Sequence, residues 1–153
     1  MQPSFDTTTA AHRYFAAHCY NLTWELLKKT DRTPSDDAQL LQRCYASLWH
    51  WSQRDDETDE NRSIGYWQLA RVWAVLGNGE QARLAAEHCL HFSENQPPFY
   101  QGYAHEAAAR AAKVAGDTEA LGYHLGQAHQ FAAQVEEADD RAVLESDLAE
   151  LSG

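Results

Sequence analysis

The run Tyr66-Trp67-Gln68-Leu69-Ala70-Arg71-Val72-Trp73-Ala74-Val75-Leu76-Gly77-Asn78-Gly79-Glu80-Gln81-Ala82 reads as one amphipathic helix, a tight stop and the opening of a second helix. Tyr66, Leu69, Ala70, Trp73 and Leu76 recur at the 3.6-residue helical period, so one face of the first helix needs an apolar neighbour. Gly77-Asn78-Gly79 supplies the left-handed conformation that ends a helix cheaply, and a connection this short folds the next helix back against the first. Gly116-Asp117 repeats the stop 39 residues later.

Working outward, breakers divide the 153 residues into seven helices with no strand pattern between them. The first covers about Thr9 to Lys29. Thr33-Pro34-Ser35-Asp36 opens the second: Thr33 caps the free amides, Pro34 suits the first helical position and Asp36 faces the positive end of the dipole. The second reaches about Gln53, and the acidic run Asp55 to Glu60 is a solvated loop whose last members start the third, Asn61 to Leu76. A fourth spans Glu80 to Ser93, Asn95-Gln96-Pro97-Pro98 breaks the chain, and a fifth runs from Phe99 to Ala115. The sixth covers Thr118 to Glu136 with an apolar stripe of Leu121, Leu125, Ala128, Phe131, Ala132 and Val135; a short seventh runs from Asp140 to Leu151. The expected architecture is an all-α single domain over residues 1–153: antiparallel hairpins at about 9–53, 61–93 and 99–136, stacked as a short α-solenoid and closed by a capping helix at about 140–151.

Superposing the two Gly stops aligns Leu69 with Ala108, Ala70 with Ala109, Cys89 with Ala128 and Phe92 with Phe131. Tyr66-x2-Leu69-Ala70-x2-Trp73, then Gly77, then Ala82, resembles the tetratricopeptide repeat signature. It is a degenerate version: Ala70 stands for the usual Gly, Ala86 where Phe is common, Glu94 at the usual Pro, and the period exceeds the customary 34 or so. The match covers about Arg62 to Gln134, and the first hairpin fits as a divergent unit. With Trp24-Glu25-Leu26-Leu27 and Arg32-Thr33-Pro34 included, the chain also resembles small bacterial helical proteins of unassigned function. What the tetratricopeptide resemblance implies is a concave surface, lined by the first helix of each pair, on which a ligand binds.

Helical geometry nominates the residues of that surface. Trp67 and Arg71, four apart, lie off the Leu69/Trp73 stripe; the fifth helix places Tyr103, Glu106, Arg110 and Lys113 on the corresponding side, and the first contributes Tyr20 and Trp24. Such a groove suits an extended peptide or partner protein, or a small anionic ligand with an apolar part: Arg71 and Arg110 would hold an anion in forked hydrogen bonds while Trp24, Trp67 and Tyr103 give flat contact area. The competing reading pairs Glu106 with Arg110, four residues away, and packs Trp24 on Trp67 helix to helix.

Charge and motifs exclude much else. Twelve Lys and Arg against 23 Asp and Glu leave a formal charge of −11, which argues against a nucleic-acid partner and a polybasic membrane anchor. No stretch approaches the roughly 18 apolar residues of a membrane span. Met1 to Asp6 does not read as a secretion signal, and Cys19, Cys44 and Cys89 sit far apart inside apolar patterns, so reduced thiols and a cytoplasmic location are expected. Neither His12/His18 nor His124/His129 shares a helical face; His88/His91 does, without a recognised ligand set, so no metal or other cofactor is expected. His50, between Trp49 and Trp51, and His105 on the core-facing side are the histidines to watch: each is either an interior imidazole bonded to backbone or a proton carrier. Phosphate-loop, nucleophile-elbow and EF-hand patterns are lacking. The leading expectation is a binding module for a peptide or partner protein. Its alternatives are a small-molecule binder or enzyme using the same groove with His50, His105 or Glu106, and a homodimeric assembly element joined by exposed apolar helix faces.

Overall fold

The computed structural model describes residues 2–153, and these form seven α-helices and no strand: α1 Thr8–Leu27, α2 Pro34–Ser52, α3 Asp59–Val75, α4 Gly79–Ser93, α5 Pro98–Ala115, α6 Thr118–Ala132 and α7 Ala138–Ser152. The starts are chemical. The Thr33 hydroxyl accepts from the Asp36 N–H at 3.2 Å while the Asp36 carboxylate accepts from the Thr33 N–H at 2.9 Å, a reciprocal cap. Thr58 and Asn61 form a second reciprocal cap at α3, and Thr7, Asn78 and Asp117 cap α1, α4 and α6 through the side-chain oxygen alone. Gly77 (φ 79°) and Gly116 (φ 74°) adopt the left-handed conformation that their place after α3 and α5 demands.

One boundary differs from its expected place by more than two residues. The sixth helix ends at Ala132 rather than near Glu136, because a turn in which the Val135 N–H donates to the Ala132 carbonyl tucks Val135 back into the core. Helical periodicity carried Val135 along the stripe correctly as an apolar residue, but burial is met by the turn.

Short connections make hairpins of α1/α2, α3/α4 and α5/α6. Among the described residues the odd-numbered helices touch one another in order, α1 to α3 to α5 to α7, whereas α2, α4 and α6 do not touch each other. The odd helices therefore share one inner layer. Composition follows position: α5, packed against α3, α4, α6 and α7, is buried through Gly102, Ala104, Ala107, Ala108, Ala109, Ala111 and Ala112, small residues that let four neighbours approach.

The 39-residue correspondence reaches the side chains. Leu69 and Ala108, Ala70 and Ala109, and Cys89 and Ala128 are buried at matching places. Tyr66 stacks on Phe92 at 5.8 Å and 15°, and their counterparts His105 and Phe131 stack at 5.7 Å and 15°. One core joins Leu26, Leu40, Cys44, Leu69, Val72 and Ala86; another joins Ala128, Ala132 and Val135 to Leu144 and Leu148 of α7. No helix of the described residues is long and apolar enough to cross a membrane.

Candidate functional site

On the inner layer, side chains from three consecutive odd helices converge. Tyr20 and Trp24 of α1, Ile64 and Trp67 of α3, and Phe99, Tyr100 and Tyr103 of α5 line an open groove of about 340 Å³, with Ser63 and Cys89 at its floor. The ring centroids of Trp24 and Trp67 lie 5.5 Å apart at 36°; Tyr103 meets Trp67 edge-on at 5.5 Å and Phe99 at 5.1 Å. Large rings reach this space because each sits one turn from the next along its helix, as Tyr20/Trp24 and Phe99/Tyr103 do.

Beside the groove stands a buried ionic cluster. Glu106, with no exposed surface, accepts a hydrogen bond from the Trp67 ring N–H at 2.8 Å and from Arg110 Nε at 2.9 Å, and Arg71 Nη1 approaches at 3.4 Å. Arg110 Nη2 lies 2.7 Å from Glu106 Oε1 without the alignment of a hydrogen bond and 3.6 Å from Glu150 Oε2, so its hold is electrostatic alone. The repeat explains the convergence: Arg71 and Arg110 occupy equivalent positions 39 residues apart, and so do Trp67 and Glu106. Two arginines and an indole thus fix one carboxylate, which fixes the Trp67 wall in turn.

Of the eight residues nominated from sequence, Tyr20, Trp24, Trp67 and Tyr103 line the groove. Arg71, Glu106 and Arg110 converge as the cluster just described, with both guanidiniums engaged by Glu106. Lys113 is drawn away from it, its ammonium donating to the carbonyls of Glu150, Leu151 and Gly153 at the end of α7. Sequence reasoning missed Ile64, Phe99, Tyr100 and Asp147. Asp147 accepts from the Tyr103 hydroxyl at 2.7 Å; with burial as the first cause and Asp147 as the second, that phenol is pushed far above its usual range. Phe99 was legible, being one turn before Tyr103 on the same face; Asp147 was not, since only the docking of α7 brings it there.

The flagged histidines lie elsewhere. His50 is half-buried and its Nδ1 lies 2.9 Å from His12 Nδ1; its bond runs to another imidazole instead of to backbone. The neighbouring Trp51 carries Arg54 over its ring at 3.9 Å. His105 makes the same kind of pair with His124, at 3.0 Å. Burial, then the neighbouring His124, pulls His105 down to about 4; burial lowers His124 against the pull of Asp117, and burial followed by His12 lowers His50.

Such a pair needs one neutral nitrogen as acceptor, so acid opposes it. The folded chain holds His50, His105 and His124 below their ordinary value of about 6.5, hence the unfolded chain binds more protons once the pH falls under that value. The stabilisation is complete above about 6.5 and is lost toward 4. His105 is partly exposed, and after screening the loss between about pH 7 and pH 5 is on the order of 1–2 kcal/mol, a fall of several degrees in Tm. Thermal melts across that range check it. His105→Gln is expected to flatten the dependence; an unchanged Tm at the two pH values would contradict the pairing.

Burial pushes the Cys44 and Cys89 thiols up to about 12, and all three cysteines are free, so these two are packing groups rather than nucleophiles. No group of three or more His, Cys, Asp or Glu side chains placed to hold a metal occurs among the described residues. No protein-family model, curated protein or solved structure matches this chain.

Proposed function

We propose that this chain is a degenerate tetratricopeptide-like binding module that engages a peptide or partner protein through its inner groove. The observation that carries the reading is the open aromatic groove built jointly by α1, α3 and α5. Three hairpins each contribute a large ring to one hollow whose walls are already packed in place, which lowers the ordering cost of binding. Aromatic anchors in a partly desolvated hollow are the side chains that dominate protein interfaces. The wall is braced from behind, since Glu106 holds the Trp67 indole and Asp147 the Tyr103 hydroxyl. An open hollow of about 340 Å³ has room for side chains of a bound segment, and the rings, with the arginines occupied by Glu106, supply the contact area.

Panning a random dodecapeptide phage library against the immobilised protein tests this without assuming the ligand's charge. Enriched peptides are expected to bind the wild type at micromolar Kd and to lose at least tenfold in Trp24→Ala and Tyr100→Ala, which remove lining rings and leave the Glu106 cluster intact. Failure to enrich any peptide, or enrichment indifferent to both substitutions, would overturn the reading.

A further inference from the structure

Resting on the groove reading above, we infer that the segment bound there is basic, and that it seats a lysine or arginine side chain against the Trp24–Trp67 wall under a rim of carboxylates. The rings come first. The Trp67 ring lies 5.5 Å from Trp24 and 5.5 Å from Tyr103, and a cation over an indole face within about 6 Å is attracted by the ring quadrupole. The long methylene stem of Lys or Arg fits an apolar wall while its charged head stays at the mouth.

Carboxylates stand next to two of the lining phenols. Asp147 lies on the Tyr103 hydroxyl at 2.7 Å. Glu60 and Asp140, in the first turns of α3 and α7, act on the Tyr100 phenol at the groove's edge, which burial and then their charge raise above its ordinary value. The nearby cations have counter-charges within the fold: Arg71 and Arg110 share Glu106, with Glu150 3.6 Å from Arg110 against the second charge, Lys113 donates to the carbonyls ending α7, and Arg62 pairs with Glu57 and Asp59. With a formal charge of −11 on the whole chain, an acidic segment approaches against the field and a basic one along it. On this proposal the ligand's charge is held by rings and carboxylates, where residue types alone offered Arg71 and Arg110 for an anion.

Three fluorescein-labelled dodecapeptides of one apolar framework, carrying lysine, norleucine or glutamate at the same positions, test this by fluorescence anisotropy. The lysine peptide is expected to bind at least tenfold more tightly than the norleucine peptide, to weaken as salt rises to about 0.5 M, and to lose at least tenfold in Trp24→Ala. Glu60→Gln/Asp140→Asn, two substitutions at helix starts outside the core, is expected to weaken the lysine peptide about fivefold and leave the norleucine peptide unchanged. Equal or tighter binding of the norleucine or glutamate peptide overturns the cation assignment, and if that binding is lost in Trp24→Ala the groove itself stands. An unaltered lysine affinity in the double variant, or no binding of the lysine peptide, also overturns it; the charge-blind library separately judges the groove.

Discussion

Glu106→Gln is expected to cost about 3–5 kcal/mol of folding stability, the loss that follows when one partner of a buried ion pair is removed. The carboxylate is fully buried, and it faces Arg110 at 2.7 Å and Arg71 at 3.4 Å. Glutamine keeps the shape and can still accept from the Trp67 indole, but it leaves two mostly buried guanidiniums, 20% and 17% exposed, without the anion they share. For a chain of this length the loss lowers Tm by about 10 °C or more. Urea unfolding of Glu106→Gln, Arg110→Gln and the double variant separates charge from shape: the double variant is expected to recover a large part of the loss, because it removes an excess cation together with the anion. A single-variant cost under about 1 kcal/mol would mean that the cluster is as weakly coupled as an exposed pair.

Leu148→Ala is the second large effect, about 2–5 kcal/mol from lost burial and the cavity left behind. Leu148 and Leu144 have no exposed surface and complete the core of Ala128, Ala132 and Val135. Leu144 fits against α5 where Gly102 has no side chain; a Cβ there would stand 2.6 Å from Leu144 Cδ2. Lys113 holds the far end by donating to the last carbonyls of α7, as a cation at a helix C-terminus should. Because α7 also carries Asp147, its loosening removes the brace from Tyr103. Urea midpoints of wild type and Leu148→Ala, with hydrogen exchange of α7 amides, check this. An unchanged midpoint with freely exchanging α7 amides would place α7 outside the cooperative unit.

The groove shows where reasoning along a single helix stops. Tyr20, Trp24, Trp67 and Tyr103 were separable from the core stripes by spacing alone, and they line one hollow. Arg71 and Arg110 were equally separable, yet spacing is silent on what stands opposite each of them. Glu106 satisfies both, one along its own helix at i+4 and one from the preceding hairpin. The histidines follow the same rule: His50 and His105 read as interior imidazoles bonded to backbone or as proton carriers, whereas each pairs with another imidazole, His12 and His124, 38 and 19 residues away.

Local chemistry, then, was enough to set the seven helices, their caps at Thr33 and Asp117, their stops at Gly77 and Gly116, and the 39-residue correspondence, since caps, turn glycines and the 3.6-residue period act within a few residues of chain. Which side chains meet across helices was decided by packing alone. Burying Glu106 called for a countercharge, stacking of the hairpins brought Arg71 to it beside Arg110 of its own helix, and docking α7 brought Asp147 to Tyr103. The cost of an unpaired buried charge depends on everything around it, and that surrounding exists only once the hairpins have stacked.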